Sequence, residues 1–392
     1  MKIDGLNIAV IGGGIGGLAA ALAFRRAGAS VTVYEQAEAI REVGAGLQLS
    51  PNGLKVIEAL GLPLAPGGAP RAAAVSLRDY RAGREVLRLD LGRLGPGMEY
   101  RLVHRADLID MLASAVREEG GKIRLLQKLG SVSPGARPEA HMANGDRISA
   151  DLILGADGLH SVVRAALNGA APPHFTGQVA WRAVVPNVVN HPPEARVHMG
   201  PHRHVVSYPL RDGAEVNLVA VQERADWTEE SWSLTGDPAD LRAAFSDFGG
   251  DTARLLAEAD VPGLWGLFRH PVAETWHGEG VALLGDAAHP TLPFLAQGAN
   301  LALEDAWELF DACRAAPSLE AGLTAYQKRR QERARRVIAA ANGNAWKYHL
   351  AMPGLRDAAH LVLRAGGKFA PDLMLRQFDW LYRYDPTAPT FG

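Results

Sequence analysis

Three groups of residues in this chain have types and spacings that suit chemistry. The first is the run 7–17, Asn-Ile-Ala-Val-Ile-Gly-Gly-Gly-Ile-Gly-Gly. Behind the apolar Ile8, Val10 and Ile11, the glycines Gly12, Gly14 and Gly17 stand at G-x-G-x-x-G, with Ile15 among them. The first glycine allows a tight turn, the second lets a pyrophosphate approach the backbone, and the third lets the next helix pack on the strand. Glu35 ends the apolar run 31–34, where a carboxylate can accept hydrogen bonds from an adenosine ribose. Together these describe a dinucleotide site. The second group is Asp157-Gly158 and Asp286, each at the end of an apolar run, with Gly298-Ala299-Asn300 opening a later helix. A carboxylate at the end of a buried strand is costly unless hydroxyl or N–H groups satisfy it. A helix start there aims its dipole and free N–H groups at developing negative charge. The alternatives are a helix cap for Asp286 and a turn acid for Asp157. The third group is His204 and Tyr208, a pair able to handle a proton.

These residues need particular elements to hold them. A strand over 8–11, a helix from Ile15 and a strand over 31–34 make the first βαβ unit. Glycines 44 and 46 suggest backbone passing close to a ligand, and Ser50 or Asn52 caps a helix over 53–60. Segments 75–80 and 85–89 read as a hairpin, and 106–119 as an amphipathic helix. Segment 123–126 adds a strand, 137–150 a polar hairpin, 151–156 a buried strand and 159–167 a helix. After about Pro172 the pattern changes: 179–185, 205–210 and 214–222 read as strands of a second sheet. Strict alternation puts residues 204, 206 and 208 on one face of it. The buried-strand pattern returns at 281–285, and long helices follow over 298–315 and 319–344. The fold class is therefore α/β: a Rossmann-type domain over 1–74, 100–172 and 270–330, interrupted by a mixed β-sheet substrate domain over 75–99 and 173–269. A C-terminal helical segment takes 331–392.

The 392 residues suffice for two packed domains, and 47% of them are hydrophobic. With 41 Lys+Arg against 43 Asp+Glu, nothing calls for nucleic acid or an acidic membrane surface. No apolar run reaches the roughly 18 residues of a membrane span, and the glycines at 12–17 interrupt any signal-peptide core. Cys313 is the single cysteine, so no internal disulfide exists, and a cytoplasmic location is expected. The spacing of His198, His202 and His204 resembles a metal site, but no cysteine or close acid accompanies it, so no metal is expected. The basic run at 328–336 reads as a solvated helix face, and Trp227 and Trp232 as packing residues.

Three stretches together resemble the single-component flavoprotein aromatic hydroxylases, the family of p-hydroxybenzoate and salicylate hydroxylases. They are Gly12–Gly17 with Glu35; residues 155–164, Gly-Ala-Asp-Gly-Leu-His-Ser-Val-Val-Arg; and Gly285-Asp286-Ala-Ala-His289-Pro290 followed by Gln297-Gly298-Ala-Asn300 and Glu304-Asp305-Ala306. The likeness runs from about residue 8 to about residue 336 and is strongest to the salicylate and 6-hydroxynicotinate monooxygenase branch. It implies resident FAD, with NADH or NADPH as a transient co-substrate. By position, Gly12, Gly14, Ile15 and Gly17 hold the pyrophosphate and Glu35 the ribose. Arg41, Gly46 and Arg105 reach the cofactor, and Leu129 covers the adenine. Asp286 accepts from the ribityl hydroxyls, Asp157-Gly158 supports the cofactor, and Pro293, Gly298, Ala299 and Asn300 face the flavin ring. The implied reaction is O2 addition at flavin C4a and transfer of one oxygen to an activated arene, the flavin supplying the difficult step. The implied partners are a small phenolic or aromatic-acid substrate and O2, with the protein a monomer or a homodimer.

The second sheet should then roof the flavin and carry the pocket: Trp181, Arg182, His204, Tyr208 and Asn217, with Gln48 and Phe294 from below. His204 and Tyr208 are the expected proton-handling pair. The plainer alternative makes His204 a solvated turn histidine and Tyr208 a core residue. Arg182 suits a substrate carboxylate or a structural ion pair equally. The chain departs from its relatives at Phe294, where a histidine commonly precedes Gln-Gly, and at Gln48, where some relatives carry histidine. Both changes make the pocket more apolar. Other readings are a flavin-binding regulatory or assembly protein without turnover, an epoxidase or halogenase on the same fold, and a plain NAD dehydrogenase. No W-x-W-x-I-P halogenase motif is present.

Overall fold

A computed structural model of the chain describes residues 1–40, 46–225 and 234–388. The strand Asn7–Ile11 has every residue buried after the first, the pattern of a central parallel strand covered on both faces. It pairs in parallel with Ser30–Tyr34 on one side and Leu152–Gly155 on the other. Lys122–Arg124 and Val281–Leu283 extend the sheet in parallel, and the short His277–Gly278 closes the edge antiparallel, giving six strands. The helix Ile15–Arg26 packs into this layer along most of its length, because Gly16 and its alanines let it approach closely. A Cβ on Gly16 would lie 2.7 Å from Leu284 Cδ1 and 3.2 Å from Ala302 Cβ.

The second sheet has seven strands in the order Gly263–Arg269, His174–Pro186, Glu215–Glu223, Arg203–Leu210, Glu194–Gly200, Ala74–Asp79 and Glu85–Asp90. All pairs are antiparallel except Glu194–Gly200 with Ala74–Asp79, so the sheet is mixed. The sequence pattern missed Glu194–Gly200 and Gly263–Arg269. Every residue of Glu194–Gly200 is buried, so it shows no alternation to read. The polar hairpin at 137–150 gains a third strand, Leu129–Ser133.

A two-stranded ribbon, Gly46–Leu49 with Arg101–His104, lies between the two layers. Helix Leu319–Tyr348 runs unbroken through position 330, where the sequence pattern divides core from C-terminal segment. Helices Pro353–Phe369, Pro371–Arg376 and Asp379–Tyr382 follow it. The helix expected at 159–167 begins at Val162, with Ser161 as its cap.

Candidate active site

The glycine loop has the geometry its spacing requires. Gly12 has φ +109°, and a Cβ there would stand 2.2 Å from the Ala156 carbonyl oxygen. A Cβ on Gly17 would stand 2.2 Å from the Gly12 carbonyl oxygen. The loop is therefore packed directly on the turn that carries Asp157, which joins two motifs far apart in sequence. Gly14 differs: nothing lies within 4 Å of where its Cβ would be, so the backbone there faces open space. Ile15 begins the helix, whose first N–H groups have no intrahelical acceptor and point that way. Glu35 accepts from Gly13 N at 2.7 Å and from Ala37 N at 2.8 Å, which fixes its carboxylate beside the loop.

Asp157 is taken up by structure: Val162 N and Val163 N donate to its carboxylate, and Ser161 Oγ bonds its other oxygen. Its carboxylate thus takes up the first two N–H groups of the Val162–Asn168 helix, whose cap is Ser161, and steadies the turn packed on Gly12. Gly158 beside it has φ +73°. Asp286 behaves differently. It makes no side-chain hydrogen bond among the described residues and is reached by solvent, yet burial raises its pKa against the opposing pull of His289 and Arg105. A carboxylate in that setting is open to hydroxyl groups that would satisfy it. Leu129 is buried at the start of its strand. Arg41 lies outside the described residues.

A buried polar network holds the Gly298–Ala315 helix in place. Asp305 accepts from Gly285 N at 2.9 Å, pairs with His289 and accepts from Arg330 Nε at 2.7 Å. Burial resists ionisation of Asp305, but His289 and Arg330 outweigh it and hold the pKa to about 2. Glu304 lies 2.6 Å from both Arg330 and Arg333 and accepts from Asn52 Nδ2 at 2.6 Å. Asn52 also reaches Gln297, which donates to Ser50 Oγ at 3.0 Å. Arg330 is fully buried, which corrects the reading of 328–336 as a solvated face. The signal was present in the adjacent acids Glu304 and Asp305: two carboxylates on a buried helix demand a cation. Asn300 bonds Ser50 N through Oδ1 and donates to the carbonyls of Gln48 and Ala296. Pro293 opens the turn before this helix, and Gly298 and Ala299 form its half-buried mouth.

The roof is set by strand register. Ala180, Val221 and His204 lie in one row across three strands; Arg182, Val219 and Val206 in the next; Val184, Asn217 and Tyr208 in the third. Val219, Val221 and Val206 pack with Leu292 and Phe294 below, so this face looks onto the mouth of the Gly298 helix. Trp181 does not belong to it. One residue from Arg182, it points to the opposite face and packs with Leu241 and Phe245, so it is not a pocket residue. Arg182 lies with its guanidinium 4.7 Å over the Trp265 ring and near enough to Tyr208 to lower its pKa against a larger upward push from burial. Tyr208 therefore stays a protonated hydroxyl. His204 is 2% exposed, which rules out a solvated turn histidine, and its ring lies 5.8 Å from that of Phe294. Burial, aided by His349, keeps it neutral.

Gly46 closes the assembly from the ribbon. Its N–H donates to Asn217 Oδ1 at 2.7 Å, and a Cβ there would meet Tyr208 Cε2 at 2.6 Å. Asn217 Nδ2 remains buried without a partner among the described residues. Gln48 accepts from Tyr100 OH at 2.7 Å. Sequence reading missed His349, whose Nε2 lies 2.7 Å from His204 Nδ1 across 145 residues of chain, a separation that carries no local signal.

The glycine loop, the unsatisfied Asp286 and the open helix mouth fit the two ends and the ribityl chain of a flavin dinucleotide. Residues 6–341 match the family described as FAD binding domain. The 3-amino-4-hydroxybenzoate 2-monooxygenase PtnB3 of Streptomyces platensis is 36% identical over 88% of this chain and 89% of its own. The 3-hydroxybenzoate 6-hydroxylase of Polaromonas naphthalenivorans is 33% identical over 97% and 96%. Among solved structures, Klebsiella pneumoniae HpxO in complex with FAD and uric acid superposes with a TM-score of 0.82 at 26% identity, covering 94% of this chain and 96% of that one. The chain belongs to this FAD-binding family of single-component aromatic monooxygenases, and FAD is its cofactor. No helix among the described residues is long and apolar enough to cross a membrane.

Proposed function

We propose that this enzyme uses NAD(P)H and O2 to hydroxylate a small benzoate-type phenol held between Phe294 and the Arg182–His204–Tyr208 face of the roof. The observation that carries the reading is that face: a neutral buried imidazole, a protonated phenol and a guanidinium stand in three successive rows on the side of the roof that packs over Leu292 and Phe294. Bound FAD supplies oxygen activation. Gly12, Gly14, Ile15 and Gly17 would hold its pyrophosphate, Glu35 its ribose and Asp286 its ribityl hydroxyls. Arg105, Gly46, Leu129, Pro293, Gly298, Ala299 and Asn300 would line its length.

The protein's own share is positional and protonic. Arg182 binds the substrate carboxylate, and Tyr208 donates to the ring substituent. His204, neutral because it is buried, accepts the phenolic proton so that the ring becomes electron-rich. Phe294 and the valines at 206, 219 and 221 keep water out. The discontinuous core at 1–74, 100–172 and 270–330 with its insert at 75–99 and 173–269 is part of this reading. So are a cytoplasmic location, suited to the buried free Cys313, and a monomeric or homodimeric state.

The test is a screen of the yellow holoprotein with 3-amino-4-hydroxybenzoate, 3-hydroxybenzoate, salicylate and 6-hydroxynicotinate. At least one should speed NAD(P)H oxidation about tenfold or more, with O2 uptake and a hydroxylated product. A protein that binds FAD yet shows no stimulation and no product with any of them would be a flavin-binding module, and the proposal would fall.

A further inference from the structure

The side chain of His204 is one end of a hydrogen-bonded line that leaves the pocket. His204 Nδ1 lies 2.7 Å from His349 Nε2, and His349 Nδ1 lies 2.9 Å from Glu223 Oε1. The other oxygen of Glu223 lies 2.6 Å from His202 Nδ1. The line runs from full burial to water: the His349 side chain is 1% exposed, that of Glu223 41% and that of His202 60%. Glu223 and His202 border a surface hollow with Gln178 and Arg224. Two elements deliver these groups. His349 is the residue that ends helix Leu319–Tyr348, and its carbonyl accepts from His202 N at 3.2 Å, tying the helix end to the roof hairpin.

The order of donors along the line is fixed from its outer end. A carboxylate only accepts, so Glu223 holds the proton of His349 on Nδ1. His349 Nε2 is then an acceptor, which places the proton of His204 on Nδ1 and leaves Nε2 as its basic nitrogen. Among the described residues the hydrogen bond of the His204 ring is made through Nδ1, to His349. Among the described residues, the aromatic rings of Phe294 and, at 5.3 Å, Tyr348 also lie against His204. Tyr348 is pushed by burial to about 12 and does not compete for the proton. Glu223 stays ionised because the bonds from His202 and His349 outweigh its partial burial.

We propose that His349 and Glu223 are positioning residues that set the tautomer of His204 and carry the substrate proton between the pocket and bulk water. The inference rests on the reading of His204 as the base. In the forward direction the phenolic O–H bond breaks as Nε2–H forms on His204. Its Nδ1 proton passes to His349 Nε2 while the Nδ1 proton of His349 passes to Glu223, which releases it to water. The net change is phenol to phenolate plus one solvated proton, with no electron transferred. The same steps reversed return a proton to the product oxygen and restore both tautomers.

The experiment mixes holoprotein with 3-hydroxybenzoate and with 3-amino-4-hydroxybenzoate in weak buffer containing a pH indicator, and follows proton release on binding. Imidazole nitrogen NMR of the ligand-free protein reports the tautomers of His204 and His349. Glu223→Gln and His349→Leu should slow proton release about tenfold or more while ligand affinity changes by less than about threefold. Glu223→Gln should also convert the single tautomer of His349 into a mixture. Unchanged release and unchanged tautomers in Glu223→Gln would overturn the proposal, and that partly exposed position serves even if His349→Leu does not fold. His204→Asn separates the two ideas: if it abolishes release while the other variants do not, the exit is wrong and the base stands. If His204→Asn leaves release intact, the base itself is wrong and the exit falls with it.

Discussion

The pyrophosphate end of the site and the aromatic end are built by different means. At the first, the functional groups belong to the main chain: the loop 12–17, the first turn of helix Ile15–Arg26 and the Gly13 N–H that pins Glu35. Side chains there are absent because the space is needed. At the second, the working groups are side chains from strands 180–184, 204–208 and 217–221, aligned only by cross-strand register, with His349 brought in from a helix end. Main-chain sites have a spacing rule and tolerate no Cβ. Side-chain sites have a facing rule, and a one-residue step, as from Arg182 to Trp181, removes a group from the pocket altogether.

The sharpest way to break the comparison is at the glycines. Gly12→Ala places a methyl 2.2 Å from the Ala156 oxygen at φ +109°, and should cost about 3–5 kcal/mol of stability together with FAD binding. Gly14→Ala meets nothing within 4 Å in the protein. Its apoprotein should melt where the parent does while FAD affinity falls about tenfold or more. Equal melting losses in both variants would mean that the loop's open space is not reserved for a ligand.

At the aromatic end, His204→Ala should slow product formation about a hundredfold while flavin reduction by NAD(P)H changes less than about threefold, resolved by single-turnover kinetics of the two half-reactions. An unchanged coupled rate would remove His204 from the chemistry. Between the two ends, Asp286→Asn keeps the shape but weakens acceptance from hydroxyls. FAD affinity, by fluorescence titration, should drop about tenfold.

The smallest effect concerns the roof's far strand and not the site. His198 is buried and held neutral, its pKa lowered to about 3 by burial and then by Arg78 and Arg196. The unfolded chain therefore binds the extra proton first, below about 6.5, so this histidine leaves stability intact above that pH and erodes it as pH falls toward 3. Between pH 6.5 and 5 the loss should be about 2 kcal/mol, and His198→Leu should flatten that part of the denaturation profile. A profile of the same slope in the variant would show that other groups set the acid limit.

Much of the fold was legible because its signals are local. The fully buried strand 7–11, the glycines behind it and the long helices from Gly298 and Leu319 all declared themselves by periodicity and spacing. Glu194–Gly200 did not, since a strand buried on both faces alternates nothing. Arg330 looked solvated because its neighbours at 328, 329 and 335–336 are basic too. Only the fold shows that this one turns inward onto Glu304 and Asp305.

By itself the sequence determined the dinucleotide loop, the α/β class and the three motifs that mark the family, because backbone conformation and hydrophobic period are written in consecutive residues. Tertiary structure alone decided which side chains of neighbouring roof strands share a face, that Asp286 is left open, and that His349 stands behind His204. Those outcomes rest on contacts between residues from more than ten to well over a hundred positions apart, fixed by strand register and helix docking, and no local pattern encodes them.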